Sequence, residues 1–247
     1  MNTEFLIPQW PAPFHVKALS TTRRDGYSQG QYSGLNLGLH VQDDPELVGR
    51  NRALLQQQVG VDLSAAWLNQ THSIRVKELP YESDVEAADG AWTQIPHVPC
   101  VVLTADCLPV LLTNRIGTQV AAVHAGWRGL CDGILEQAVA KFADPDDVLV
   151  WLGPAIGSQA FEVGEDVRQA FISHQAEAQL AFVPHPVNAN KWLADIYQLA
   201  RLRLAQVGVT EVYGGEHCTF SDSERFYSYR RDGVTGRQAT LIWLEHR

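Results

Sequence analysis

The sequence predicts an α+β fold, a single domain in which mixed β-sheets are flanked by helices. Short apolar, β-branched runs bounded by Gly, Pro or Asn recur along the chain, as at residues 101–104, 108–112 and 119–123, and such runs are typical of buried strands. Helical stretches occur between them without the regular strand–helix alternation of a parallel sheet. Because no linker-like composition or repeat of fixed period divides residues 1–247, we expect one domain.

Boundary residues predict where several of these elements begin and end. Asp44 followed by Pro45 predicts a helix start with Asp44 as the cap, and Gly60 predicts the end of that helix. An acidic stretch at 81–90 ends in a predicted turn, Asp89-Gly90. Further strands are predicted at 15–22, 67–72, 148–152, 226–231 and 240–244, and further helices at 129–142, 164–172 and 191–207.

Composition excludes several classes of function. The formal net charge of −9 argues against binding nucleic acid through a general basic surface. No apolar run approaches the length of a membrane span, and the first residues show no secretory signal pattern. The four cysteines include no CxxC pair, which is typical of reduced thiols in a cytosol. We therefore expect a cytoplasmic protein without membrane or nucleic-acid partners.

Two side chains that could carry chemistry lie at strand ends. Cys107 begins the second apolar run and His124 closes the third, so pairing of these strands as a hairpin would bring a thiol and an imidazole to one sheet edge. His72 also lies where an apolar run meets a polar turn. Three nitrogen and sulfur ligands with room for a fourth, exogenous ligand are the pattern of a catalytic zinc site. Asn69, Gln70 and Asp106 are candidates to orient the imidazoles.

The spacing leaves other interpretations open. The three residues could be a buried cysteine and two unrelated histidines, since they are far apart in sequence. Cys107 beside His124 also fits a cysteine hydrolase, in which the imidazole activates the thiol. Both chemistries use the same atoms, so spacing alone does not separate them.

Several long motifs resemble one known family. They are LNLG at 35–38, QTH at 70–72, TADCLPV at 104–110, VHAGWRG at 123–129, LGPAIG at 152–157 and FYSYRR at 226–231. On these motifs the chain resembles the YfiH family, also called the laccase-domain or polyphenol oxidase family. The resemblance implies the YfiH fold, which is grouped with CNF-type cysteine hydrolases. It also implies zinc ligands at His72, Cys107 and His124, which would serve as catalytic residues too.

The resemblance implies a zinc-dependent enzyme of purine nucleosides. Expected reactions are phosphorolysis of adenosine, inosine, guanosine and methylthioadenosine, and deamination of adenosine. Asp89 and Glu162 are candidates for the acid or base that deamination needs. Candidates to bind substrate or phosphate are Arg23, Asn36, Gln70, Arg128 and Arg230, the arginines because guanidinium matches phosphate bidentately. The aromatic residues Phe226, Tyr227 and Tyr229 could stack on a purine or belong to the core.

Three alternatives accompany this hypothesis. Family members described as peptidoglycan editing factors imply hydrolysis of a cell-wall precursor, with Cys107 or a zinc-bound water as attacker. Copper-dependent polyphenol oxidation is disfavoured, because none of the nine histidines forms a His-x-His pair of the kind that laccase clusters use. The third alternative is a metal-binding protein that catalyses no reaction. The oligomeric state stays open.

Overall fold

The structure, a computed structural model, describes residues 4–64, 66–80 and 87–246. Within these residues there are three β-sheets and six α-helices, which confirms the predicted α+β class with mixed sheets. The helices are α1 (Pro45–Val59), α2 (Trp127–Asp132), α3 (Ile134–Val139), α4 (Glu165–His174), α5 (Ile196–Gln206) and α6 (Tyr229–Asp232). The strands are β1 (Phe5–Leu6), β2 (Val16–Thr21), β3 (Val76–Glu78), β4 (Gly90–Thr93), β5 (Cys100–Thr104), β6 (Leu108–Asn114), β7 (Val120–Ala125), β8 (Val148–Leu152), β9 (Glu162–Gly164), β10 (Phe182–Pro184), β11 (Lys191–Ala194), β12 (Glu211–Gly214) and β13 (Gln238–Leu244).

The largest sheet has six strands in the order β12-β8-β6-β7-β4-β3, and its centre is the predicted hairpin. Strands β6 and β7 pair antiparallel, with Leu108 opposite Ala125. At the turn that joins them, Asn114 Oδ1 accepts from Thr118 N at 2.8 Å, and Gly117 has a φ of 63° that suits glycine. Both strands are buried along nearly their whole length, which explains their continuous apolar sequence.

A four-stranded sheet, in the order β1-β2-β13-β5, packs against this large sheet. Buried residues of both sheets form a shared core that includes Val102, Leu111 and Ile242. On the other face of the four-stranded sheet lies α1, which begins and ends as predicted: Asp44 Oδ1 accepts from Glu46 N at 2.9 Å, and Gly60 adopts a left-handed φ of 75°. Helices α2 to α5 cover the outer face of the large sheet.

Four predicted elements differ from the structure. Residues 67–72 form no strand, and the helix expected at 129–142 is divided into α2 and α3 at Gly133, whose φ is 106°. The helix expected at 191–207 begins as strand β11, which pairs with β9 and β10, before Asp195 caps α5. Residues 226–228 lead into α6, and residues 229–231 belong to that helix. Of the acidic stretch at 81–90, residues 81–86 lie outside the described residues, and Gly90 begins β4.

The segment at 226–231 does not form the predicted strand because its backbone finds other partners. Phe226 N donates to Asp222 O at 3.1 Å, and Tyr227 N donates to the side-chain Oε1 of Gln238 at 3.0 Å. The Ser228 side chain accepts from Arg231 N at 3.2 Å and so starts a helix. In the described part of the chain, no helix is both long and apolar enough to cross a membrane.

The turn between β5 and β6 is held by Asp106, a residue with a left-handed φ of 87°. Its carboxylate accepts from Thr219 Oγ1 at 2.6 Å and from Arg230 N at 2.6 Å. Its carbonyl accepts from Ile156 N at 2.9 Å. Asp106 therefore connects the turn that precedes β6 to three segments far away in sequence.

We expect Asp106→Ala to lower the free energy of unfolding by roughly 1.5–3 kcal/mol more than Asp25→Ala does, since hydrogen bonds to a charged group contribute about that much. Asp25 is a matched control because it is exposed, also has a positive φ, of 62°, and makes no hydrogen bond in the described structure. Both substitutions add the same backbone strain, so chemical denaturation of the pair isolates the carboxylate contacts. Equal losses would contradict this role for Asp106.

Candidate functional site

The hairpin brings together the three side chains that the sequence singled out. Cys107 immediately precedes β6, and His124 lies on β7 opposite Pro109. His72 reaches them from the loop before β3. Cys107 Sγ is 3.8 Å from His72 Nε2, and one ligand atom from each of the three residues lies within 4.8 Å of the others. The structure thus forms a compact His-Cys-His cluster.

Asp89 positions both histidines of the cluster. Its Oδ1 is 2.8 Å from His124 Nδ1 and accepts from His72 N at 2.9 Å. Its Oδ2 accepts from Thr71 N at 3.1 Å and from Ser73 N at 2.6 Å. Asp89 is fully buried just before β4, whose pairing with β7 places it beside His124. Burial alone would raise the pKa of Asp89, but His124 and Ser73 outweigh it and lower the pKa to about 2.

An ionised Asp89 determines which imidazole nitrogen of His124 is available. A carboxylate accepts hydrogen bonds, so His124 carries its proton on Nδ1 and turns Nε2 toward the cluster. His72 has a φ of 62°, a left-handed conformation that is uncommon outside glycine, and its backbone is held there by the hydrogen bond to Asp89. The residue therefore has a strained backbone at the point where its ring enters the cluster.

Glycine at 126 leaves the space that the cluster occupies. A Cβ added at Gly126 would lie 2.5 Å from His72 Cδ2 and 3.2 Å from Cys107 Sγ. Any side chain at this position would displace the imidazole. The first glycine of the VHAGWRG motif is thus required by packing against the cluster.

The electrostatics of the cluster favour a thiolate. Burial would raise the pKa of Cys107, but His124 and His72 outweigh it and hold that pKa below its usual value. Burial would lower the pKa of His124, whereas Cys107 and Asp89 raise it. One thiolate and two oriented imidazoles are a donor set that suits zinc and other thiophilic divalent ions, so the residues fit a metal. Cys131, Asp132 and His174 form a second group of possible ligands, but they line no part of the cavity around the cluster.

The cluster lies in a cavity of about 450 Å³, within the size range of small-molecule sites. Its lining includes three apolar side chains, those of Ile156, Phe161 and Ile196. It also includes two cations, Arg230 and Arg237. The remaining lining residues are His40, Gln70, His72, Leu103, Thr104, Ala105, Asp106, Cys107, His124, Trp127 and Tyr229.

Two of the predicted substrate residues line this cavity. Gln70 pairs with the backbone of Leu103 like a neighbouring strand, since its Nε2 donates to Leu103 O at 2.8 Å and its Oε1 accepts from Leu103 N at 2.8 Å. Arg230 donates through Nη1 to Glu162 O at 2.9 Å and lies near the ring of Phe161. Tyr229, 62% exposed, lines the rim.

The other predicted substrate residues lie outside the cavity. Asn36 is fully buried, and its Oδ1 accepts from Arg237 N at 2.8 Å. The guanidinium of Arg23 lies 4.6 Å from the centre of the Tyr227 ring, and Tyr227 itself is buried in the core, as is Phe226. Arg128 is exposed and lies over the ring of its neighbour Trp127.

Neither expected acid or base faces the cavity. Asp89 is sealed among its hydrogen-bond donors, and Glu162 pairs instead with His185 Nε2 at 3.3 Å. The expected imidazole-orienting roles also differ. Asp106 bonds to Thr219 and Arg230 N, and Asn69 pairs through its backbone with residue 87, so Asp89 is the residue that orients an imidazole.

Sequence reasoning missed two cavity residues, His40 and Arg237. Both are single polar residues near glycines, in the segments LGLH and TGRQ, and no periodicity or metal-ligand spacing marks them. The orienting role of Asp89 was also missed, because Asp-Gly at 89–90 is a common turn signal. Only the register of β4 on β7 brings that carboxylate to His124.

Comparison with known proteins agrees with the motifs. Residues 17–245 match the family described as Multi-copper polyphenol oxidoreductase laccase. The chain is 51% identical to Purine nucleoside phosphorylase YfiH of Escherichia coli K12, over 98% of this chain and 99% of that protein. It is 49% identical to a Haemophilus influenzae protein named purine nucleoside phosphorylase, over 96% of this chain and 98% of the relative.

Solved structures agree over the full length. The crystal structure of Neisseria meningitidis protein NMB0706 superposes with a TM-score of 0.92 at 50% identity, covering 98% of this chain and 99% of that one. The crystal structure of YlmD from Geobacillus stearothermophilus superposes with a TM-score of 0.88 at 27% identity, covering 100% and 98%. The chain therefore belongs to the multi-copper polyphenol oxidoreductase laccase family, together with the YfiH proteins.

Proposed function

We propose that this protein is a zinc-dependent purine nucleoside phosphorylase. The observation that carries the proposal is the meeting of three features in one cavity of about 450 Å³: the His-Cys-His cluster, apolar lining residues and two arginines. Apolar side chains suit a purine ring, arginines suit phosphate, and the cluster suits a catalytic metal. Relatives about half identical over the full chain are named for this activity, which supports the same assignment here.

Zinc would be held by His72, Cys107 and His124. The three ligand types match a catalytic zinc site, which keeps a further position for an exogenous ligand. A bound zinc ion would supply Lewis acidity beside the bound nucleoside. The protein's own contribution is rigidity: Asp89 orients the His124 ring, and Gly126 leaves room for the His72 ring.

The reaction exchanges one bond at the sugar. A phosphate oxygen forms a bond to ribose C1′ while the bond from C1′ to the purine nitrogen breaks. The electron pair of that bond leaves with the purine, which takes up a proton, and ribose 1-phosphate is the other product. The purine would pack against Ile156, Phe161 and Ile196, and phosphate would be held next to C1′ by Arg230 and Arg237. We propose adenosine, inosine, guanosine and methylthioadenosine as substrates, with deamination of adenosine as a second activity.

A cysteine hydrolase that edits peptidoglycan precursors is the second candidate. It is favoured by one observation, the lowered pKa of Cys107 beside His124, because a thiolate next to an imidazole is a competent nucleophile. Copper oxidation is not proposed, since the sequence has no His-x-His pair to build a trinuclear cluster. Nucleoside assays with and without phosphate, run beside assays on a muramyl-amino-acid substrate, separate the first two activities. Failure of both favours a metal-binding module without turnover.

We also propose that the chain acts in the cytoplasm as one domain. The support is compositional: four cysteines without a CxxC pair, a net charge of −9 and no linker-like stretch. Fractionation of cells and limited proteolysis of the purified protein test these two points.

We expect about one zinc per chain in protein purified without added metal, in line with three protein ligands and an open position. His72→Ala should lose most of that zinc and reduce turnover by roughly 100-fold or more. The reason is that removing a metal ligand costs at least as much affinity and activity as mutating a residue that orients a ligand. His97→Ala is the matched control, since His97 contacts the His246 ring and lines no part of the cavity. Metal-free protein with full activity would refute the zinc assignment.

The reactivity of Cys107 separates zinc catalysis from cysteine catalysis. A zinc-bound thiolate resists alkylation until a chelator removes the metal, whereas a free nucleophile reacts at once. We expect slow iodoacetamide labelling of the zinc-loaded protein and fast labelling after chelation. Mass spectrometry in a Cys218→Ser background is suitable, because Cys218 is the other partly exposed thiol among the described residues. Rapid labelling of the metal-loaded protein with matching loss of activity, together with an active His72→Ala, would support the hydrolase instead.

A further inference from the structure

Arg237 is a cavity-lining cation to which the described residues offer no anionic partner. Its Nη1 donates to Thr235 O at 3.0 Å and to Gly236 O at 2.9 Å. Within the described residues, no carboxylate oxygen lies within 4.0 Å of its guanidinium, and no protein atom accepts from Nε or Nη2. Half of the guanidinium fork is therefore fixed by the backbone while the other half is free to bind a ligand.

The side chain is held in place by the loop at 36–40. Asn36 Oδ1 accepts from Arg237 N at 2.8 Å, and Arg237 O accepts from Leu37 N at 3.1 Å. A Cβ added at Gly38 would lie 2.8 Å from Arg237 Cγ and 3.5 Å from His40 Cε1, so this glycine lets both side chains approach. Arg237 and His40 are thus positioned together, and the buried Asn36 acts through Arg237.

An unpaired, half-buried guanidinium has an energetic cost that a ligand can offset. Burial lowers the pKa of Arg237, and the nearby groups of Cys107 and Asp106 restore it only in part. Asp106 is already occupied by Thr219 and by Arg230 N. Because a buried charge is stable only when it is paired, the free half of the fork calls for an anion with at least two oxygens.

The other arginines considered from the sequence are less suited to this task. Arg230 lines the cavity and, like Arg237, donates through Nη1 to two carbonyls, those of Ala160 and Glu162, but it is exposed to solvent, whereas Arg237 is half-buried. Arg23 and Arg128 lie outside the cavity against aromatic rings. Arg237 is therefore the more buried of the two cavity arginines, and its charge gains more from an anion inside the cavity.

We propose that Arg237, supported by His40 and with Arg230 nearby, is the binding site for a phosphate dianion. The proposal deepens the proposed function, on which it rests for the identity of the reaction. A phosphate group could come from two sources: free orthophosphate, as phosphorolysis requires, or the 5′-phosphate of a nucleotide. Both would present oxygens to the same guanidinium, so the experiment below includes an arm for each.

The test measures binding as well as turnover, on zinc-loaded protein. We expect Arg237→Gln to weaken the affinity for inorganic phosphate, measured by calorimetry, by roughly ten-fold or more, since charge-assisted hydrogen bonds contribute about 1.5–3 kcal/mol. The KM for phosphate should rise in parallel, and by a larger factor than any change in phosphate-independent adenosine deamination, because only phosphorolysis binds that anion. Arg237→Lys keeps the charge and loses the fork, so it should recover only part of the affinity.

Arg115→Gln is the matched control. It removes the same charge from an exposed arginine that pairs with Asp147 and Glu211 beyond the far end of β6. Zinc content and thermal unfolding of each variant show whether the fold is retained, and Arg237→Lys keeps the test valid if Arg237→Gln unfolds. Affinities for orthophosphate and for inosine 5′-monophosphate that are both unchanged in folded Arg237 variants would overturn the proposal.

The remaining outcomes separate this inference from the proposed function. Affinity for inosine 5′-monophosphate that depends on Arg237, without such dependence for orthophosphate, would keep the subsite and assign it to a nucleotide. Arg237-dependent binding of orthophosphate, with no phosphate-dependent cleavage of any nucleoside, would support the subsite and reject phosphorolysis. Loss of deamination equal to the loss of phosphorolysis would overturn a dedicated phosphate role.

Discussion

The geometry of the site depends on one buried carboxylate, that of Asp89. It receives the His124 ring on one oxygen and the backbone of three successive residues, 71–73, across both. Asp89 is fully buried, and a buried carboxylate without hydrogen-bond partners would strongly destabilise the fold. The fold is therefore stable only when the His124 ring and the three backbone N–H groups stay bound to Asp89. The left-handed backbone of His72 is stable for the same reason. The cluster is thus organised by a residue that never touches the cavity.

The parts of the fold that local sequence determines were predictable. The β6–β7 hairpin has continuous apolar runs and a strong turn signal, and α1 has a capping aspartate and a terminal glycine, so each could be recognised from neighbours in the chain. Residues 67–72 and 226–231 were not predictable in this way. Their conformations follow from distant partners, such as Gln238, whose side chain accepts from Tyr227 N at 3.0 Å. Apolar and aromatic residues there look like strand residues until those partners are known.

Some residues of the candidate site could be predicted from nearby sequence, and others could not. Cys107 and His124 could be placed at one sheet edge because only residues 108–123, which form the β6–β7 hairpin, separate them, and the family resemblance supported His72 as the third member. Arg237 could not be found this way, since it meets Asn36 across 201 positions of sequence. In the sequence, Arg23 and Arg128 look as suitable for phosphate binding as any other arginine. Only tertiary packing shows that they lie against aromatic rings outside the cavity.

The position of β13 has a consequence for synthesis of the protein. This strand lies between β2 and β5, so one edge of each of these strands stays unpaired until residues 238–244 have been synthesised. The hairpin of β6 and β7 can form on the ribosome much earlier, and with it the approach of Cys107 to His124. A nascent chain would therefore display its thiol and imidazole before Arg237 and the closed sheet enclose them. Protection from premature oxidation or misplaced strand pairing then depends on how quickly residues 238–244 are inserted.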